Sequence, residues 1–300
     1  MTDPVCSSVS LDRVEPLQAT ASMVRSWVLI EQPGAWGPDA LADSGLPAGV
    51  AGRLAAGARE HGYRVLLLRR PRRSVDGSRQ CFVAHSGRTT RWIEERRVSD
   101  LEELLEVDFR PLRSGDPVGF GERRDAPLYL VCTNGRHDPC CANLGRPVAR
   151  ALQQGSAAAS VWECSHFGGD RFAGNLVCLP DGLYYGRLGP VDAQRVVDAY
   201  QQGTIDLEHY RGRAGEPFAA QAAEFFIRRQ DGLTGLDDLS WISHRHRGDN
   251  VVEVSFTRAG GGTYDVRVGV EPAVDARPLS CHARSDGHPP TYSLLEMNRG

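Results

Sequence analysis

The order in which strand-like and helix-like stretches alternate between Leu128 and Gly203 is what most restricts the fold of this chain. "PLYLVCT" is a short apolar run of the kind that forms a buried strand. "PCCANLGRPVARALQQG" follows with helical spacing, although Gly145 and Pro147 interrupt it. "ASVWECSH" is a second strand. "NLVCLP" and "LYYGRL" make a hairpin across Asp181-Gly182, a tight-turn pair. "PVDAQRVVDAYQQG" closes the segment as a helix, with Pro at its start and Gly at its end. The first part of the chain has the same β-α-β-β-α order. Its strands are "SWVLIE", "YRVLLLRRP" and "QCFVAHSG", with a helix at "AGVAGRLAAGAREHG" and a short one at "SDLEELLEVD", capped by Ser99. Such alternation predicts an α/β protein, and its recurrence predicts two βαββα modules in tandem, over 20–112 and 126–212. The texture changes after 212. "EPFAAQAAEFFIRRQDG" is an amphipathic helix, and "NVVEVSFTRAGGGTYDVRVGVEP" alternates as an antiparallel hairpin. A small β-rich module is therefore expected over 213–300.

A length of 300 residues suffices for two domains and a buried core. The net charge of −3 gives no general attraction to nucleic acid or anionic membrane. All 35 basic residues are Arg, the mark of a GC-rich genome, so Schiff-base lysine chemistry is excluded. No apolar run approaches the roughly 20 residues of a membrane span. "MTDPVCSSVSLDRVEPL" lacks the basic and apolar regions of a signal peptide. A reducing, cytoplasmic location follows as the expectation. There the eight Cys would be buried, metal-bound or catalytic rather than a disulfide framework.

Two loops carry the chemistry. In "VCTNGRHDPCC", Cys132 ends a strand, and Cys140 and Cys141 open a helix, whose dipole favours a thiolate. The spacing from Cys132 to Cys140 fits neither the usual C-x-x-C dithiol nor a zinc knuckle. In "ECSHFGGDRFAGN", Cys164 and His166 are two apart on an extended strand end, and Asp170 follows. Gly168-Gly169 permits a tight turn. Two loops leaving the same ends of neighbouring strands could pinch one inorganic centre between them.

"VCTNGRHDPCC…GRPVARAL", "ECSHFGGDRFAGN" and "LPDGLYYGR" resemble the sucrase/ferredoxin-like family, as do "SWVLIEQPGAWG" and "LSCHA". The resemblance covers roughly 20–295. It implies a thioredoxin-like fold, a bacterial source, and a [2Fe–2S] cluster held by two Cys of the first loop and an H-x3-H pair of the second. Carried over by position, the ligands are Cys132, Cys140 and His166, with Asp170 in the place of the second His. The fourth ligand is then Asp170 through oxygen or Cys164 through sulfur, unless this branch has lost the cluster. The implied function is electron transfer with a redox partner protein, without substrate turnover of its own. A metal-free thiol oxidoreductase and a clusterless binding protein are the alternatives. Arg136 and Arg171 flank the site and could dock an acidic partner, although each also reads as a solvated charge.

Other residues receive plainer readings. Cys141 is expected to face the core, because one helix turn cannot aim both neighbours at one metal. His137 is expected as a turn residue, Cys81 and Cys178 as small buried hydrophobes, and Cys6 as part of a mobile terminus. Cys281 could join the core or approach the site. "SHRHRGD" (243–249) reads as an exposed linker.

Overall fold

The computed structural model describes residues 5–70, 76–248 and 250–300. Pro71 at the end of one expected strand, Asp249 at the end of "SHRHRGD", and residues 1–4 of the N-terminal stretch lie outside the described residues.

The protein is mixed α/β. The first half supplies β1 (Ser26–Glu31), β2 (Tyr63–Arg69), β3 (Arg79–Ser86), β4 (Arg91–Val98) and β5 (Glu122–Arg123). The second supplies β6 (Leu128–Cys132), β7 (Val161–Cys164), β8 (Leu176–Leu179), β9 (Leu183–Tyr185) and β10 (Tyr210–Arg213). All ten share one sheet in the order β10-β9-β8-β6-β7-β2-β1-β3-β4-β5. The halves are built alike. β1 pairs parallel with β2 and antiparallel with β3, and β6 pairs parallel with β7 and antiparallel with β8. They join where β2 meets β7 antiparallel, through Leu68↔Cys164 and Arg69↔Glu163.

The helices are α1 (Cys6–Asp12), α2 (Ala40–Asp43), α3 (Ala48–His61), α4 (Pro139–Leu152), α5 (Pro190–Gln201) and α6 (Phe218–Asp231). Their ends follow the sequence signals. α3 stops at Gly62 in the left-handed conformation, and α4 and α5 both start on proline. α4 runs unbroken through Gly145 and Pro147.

The sheet is strongly rolled. Trp27 on β1 and Tyr184 on β9 are five places apart in sheet order, yet their rings lie 6.3 Å apart. One face of both halves therefore closes on a shared core that includes Leu29, Phe82, Leu130 and Trp162. The opposite face packs separately in each half, around Val28 and Leu54 and around Tyr129 and Val148. The tip of the β8–β9 hairpin reaches the first half, where a Cβ on Gly182 would meet Ser86 at 2.9 Å.

Three local expectations change. β4 adds a strand to the first half that the β-α-β-β-α order omits. The stretch expected as a capped α-helix at Ser99 is a 3₁₀ helix, Leu101–Glu106, whose capping box is Asp100 with Glu103. "SHRHRGD" is no linker, because β11 (Leu239–His246) runs through most of it. β11 pairs with β12 (Val251–Arg258), then β13 (Thr263–Pro272) and β14 (Pro290–Arg299), in a separate four-stranded antiparallel sheet. α6 fills the inner face of that sheet with Ala219, Ala220, Ala222, Ala223 and Ile227. No described helix is long and apolar enough to cross a membrane.

The passage from β10 into α6 buries a group of charged side chains that includes Arg213, Glu216, Glu224 and Arg228. Arg228 pairs with Glu224 at 2.9 Å, and Tyr210 donates to the same carboxylate at 2.9 Å. Among the described residues Glu216 Oε2 has no hydrogen-bond partner. Burial, then repulsion from Glu224, pushes Glu216 up to about 8. The folded chain thus holds a proton that the unfolded chain releases near pH 4.5, so this group's contribution to stability falls as pH rises from there through about 8. Glu216→Gln should remove that fall. In thermal unfolding its midpoint should gain on the unmodified chain between pH 5 and pH 8, whereas an offset equal at both pH values would refute this account.

Candidate metal centre

Cys132 is the last residue of β6, on the face that lines the shared core. The chain then leaves the sheet in a turn organised by Asn134, whose Oδ1 accepts from the amides of Arg136 and His137 at 3.2 and 3.3 Å. Asp138 caps α4 by accepting from Cys140 N at 2.8 Å. That cap sets the phase of the helix. Cys141 turns inward toward Cys132, and Cys140 turns the other way.

α4 crosses the end of β6 very closely. A Cβ on Gly145 would lie 2.1 Å from the carbonyl oxygen of Cys132. The second loop is held as firmly. Gly168 and Gly169 have φ of 108° and 85°, a region that only glycine enters cheaply. The buried Arg211 donates to Gly168 O at 3.1 Å and to Asn175 Oδ1 at 2.8 Å, and Asn175 donates to Gly169 O at 2.8 Å. His166 and Asp170 are thereby presented to the mouth of α4.

The sulfurs of Cys132 and Cys141 and a ring nitrogen of His166 lie within 4.8 Å of one another. An overlapping group, His137, His166 and Asp170, meets the same limit. The rings of His137 and His166 stack with centroids 3.7 Å apart. His166 Nδ1 is 2.8 Å from Asp170 Oδ1, an ion-pair approach whose angle is too poor for an aligned hydrogen bond. The Cys141 thiol donates to Asp170 Oδ1 at 3.2 Å.

The charges are coupled. A hydrogen bond from Cys141 lowers Cys132 to about 6 against the opposing effect of burial, with help from His166. Cys141 is raised, first by that same bond and then by burial, so the pair shares one proton. Burial would lower His166, but the Asp170 carboxylate and the Cys132 thiolate raise it to about 9. Burial would raise Asp170, but His137 and His166 hold it below the ordinary carboxylate range. The result is a nest of thiolate, imidazole and carboxylate with a partly exposed rim, since the His137 side chain is 33% accessible. These are donors that could bind a metal.

The expected residues separate as follows. Cys132 and His166 come together, but the cysteine that joins them is Cys141. Cys140 lies in a different group, with Cys6, Asp138 and Cys281. Of the two candidates for the fourth position, Asp170 reaches the centre. Cys164 is sealed in the core, where it pairs in register with Cys132 across β6 and β7. His137 was expected only as a turn residue. Its place in the loop between two cysteine positions was the available signal. Arg136 is exposed, whereas Arg171 is engaged by Glu15 at 2.9 Å and lies over Phe172. Cys6 is buried in α1 rather than mobile.

Residues 17–212 match the model of the sucrase/ferredoxin-like family. This chain belongs to the sucrase/ferredoxin-like family. Among curated relatives, this family member is 22% identical over 111 residues to "Altered inheritance of mitochondria protein 32" of Candida glabrata, covering 32% of this chain and 36% of that protein. The protein of the same name in Eremothecium gossypii is 29% identical over 110 residues, covering 32% of this chain and 35% of that protein. The chain thus spans about a third of the length of the curated relatives it matches. No solved structure matches it. These fungal relatives, named for the inheritance of mitochondria, overturn the expected bacterial source. They give no support to an iron–sulfur electron carrier, so that expectation is set aside with its thiol-oxidoreductase and clusterless alternatives.

The crossing of α4 over β6 makes a direct prediction for this family member. Gly145→Ala must push the helix away from Cys132, at a cost on the order of 1–3 kcal/mol or more. Thermal unfolding should show a clear drop in midpoint, with Cys141 newly open to alkylation. An unchanged midpoint would mean that the helix does not lie against the strand in this way.

Proposed function

We propose that this chain is a metal-binding protein whose centre is Cys132, Cys141 and His166, completed by His137 or Asp170. The observation that carries the reading is the convergence of two sulfurs and an imidazole nitrogen within 4.8 Å at the mouth of one helix. Thiolate and imidazole favour zinc, copper or iron over magnesium and calcium. Asp170, close to Nδ1 of His166, would hold the ring and leave its other nitrogen for the metal, as carboxylates do for many metal-bound histidines. His137, stacked on that ring, would then take the fourth place. The [2Fe–2S] cluster implied by the sequence resemblance is one occupant that such donors would accept. Acid-labile sulfide measured beside iron distinguishes it from a single ion.

We further read 20–112 and 126–212 as thioredoxin-like modules and 213–300 as a tail module, supported by the matching strand orders of the two halves. A reducing, cytoplasmic setting is supported by eight free cysteines. A protein partner with an acidic surface is supported by the exposed Arg136 beside the rim.

Elemental analysis of the full chain tests the centre. Cys132→Ser, Cys141→Ser and His166→Ala should each lower its metal content, and Cys164→Ser should not. Comparing His137→Ala with Asp170→Ala identifies the fourth ligand. Undiminished metal in both Cys132→Ser and Cys141→Ser would end this reading.

A further inference from the structure

A second group of donors lies on the far side of the same helix turn. Cys6 comes from α1, Cys140 from the first turn of α4, and Cys281 from the connection between β13 and β14. Their sulfurs form a closed triangle. Cys6 to Cys140 is 3.7 Å, Cys140 to Cys281 is 3.4 Å, and Cys6 to Cys281 is 3.5 Å. Asp138 Oδ2 stands over it, 3.7 Å from Cys6 Sγ, and accepts from Cys281 N at 2.7 Å. All four donor atoms lie within 4.8 Å of one another. Two donors are already aimed at sulfur, the amide of Cys6 toward Cys281 at 3.4 Å and the hydroxyl of Ser7 toward Cys140 at 3.2 Å.

We propose that Cys6, Cys140, Cys281 and Asp138 form a second metal site that takes a single zinc ion in a closed, structural role. A tetrahedral zinc with Zn–S near 2.3 Å sets its sulfurs about 3.8 Å apart. The triangle is within a few tenths of an ångström of that spacing. Three sulfurs in mutual contact cannot be explained by one disulfide, which would leave the third out. The step is ligand exchange without redox change. Zinc replaces the thiol protons, up to three are released to solvent, and the Asp138 carboxylate supplies the fourth bond. Only the rim at Cys281 is partly accessible, as suits a structural ion. The site would fasten α1 and the Cys281 segment onto the cap of α4, in the same turn that carries His137 and Cys141. The inference does not rest on the Cys132 centre.

The test uses the full chain, reduced and stripped of metal, and titrated with zinc and with cobalt(II) as a spectroscopic stand-in. Zinc should protect Cys6, Cys140 and Cys281 from iodoacetamide in peptide mapping. Cobalt should give the thiolate charge-transfer absorption of a tetrahedral site. Cys281→Ser and Cys6→Ser should each lose about one equivalent of zinc and the rise in thermal midpoint that zinc confers. Cys132→Ser should keep this site's equivalent, with Cys6, Cys140 and Cys281 still protected, and lose metal at the first centre alone. Equal alkylation of Cys281 with and without zinc would overturn the proposal on the unmodified chain, whatever the variants do. So would a zinc content in Cys281→Ser equal to that of the unmodified chain, or a disulfide among the three that persists under excess zinc. Loss of metal in Cys132→Ser alone would reject this site and leave the first centre standing. Loss in Cys281→Ser alone would do the reverse.

Discussion

The close crossing of α4 over the end of β6 is the contact on which the chemistry of this protein depends. The backbone of Cys132 and the face of the helix at Gly145 meet with no room for a side chain. Everything at the mouth of α4 is measured from that contact. The Asp138 cap fixes where the helix begins, and the crossing fixes how far it stands from the strand. Together they bring Cys141 to Cys132 without any movement of the backbone. The second loop meets this assembly because Arg211, buried under it, replaces solvent for the carbonyl of Gly168 and for Asn175. Preorganisation here is a property of backbone packing more than of the donor side chains.

Adjacent residues of a helix point about 100° apart. That simple rotation separates the chemistry of Cys140 from that of Cys141. The two neighbouring cysteines fall into different donor groups, and the sequence alone does not reveal the phase of the helix that sends each its own way. Asp138, as the cap that sets it, was visible only as one polar residue in a turn. Likewise, Cys6 and Cys281 are separated by 275 positions, and no local pattern announces that α1 and the tail meet at the same cap.

Where local physics dominates, the sequence was readable. β6, α4, β7 and the β8–β9 hairpin carry their own apolar runs and turn residues, and all of them form. β4, "RWIEERRV", was missed because its charges mask the pattern. Glu94 is buried and accepts from Phe120 N at 3.0 Å, so a charged residue stands where alternation would put an apolar one. The second half of β11 was read as part of a linker because Ser243 to His246 are polar and exposed, which leaves no apolar period to detect there. Asp170 and Cys164 could not be ranked from the sequence, because position favours the carboxylate and softness favours sulfur. The fold places Asp170 beside His166 and buries Cys164 in the sheet.

The rolled sheet has one more consequence, at Gly182. The tip of a two-residue hairpin is ordinarily the most permissive point in a β-structure, the place where added residues dangle in solvent. Here the tip is enclosed. It presses on Ser86 of the other half and on Ala214, where the chain leaves the sheet for α6. A turn that looks like surface punctuation therefore serves as a keystone between the two halves, and lengthening it would spread them rather than extend a loop.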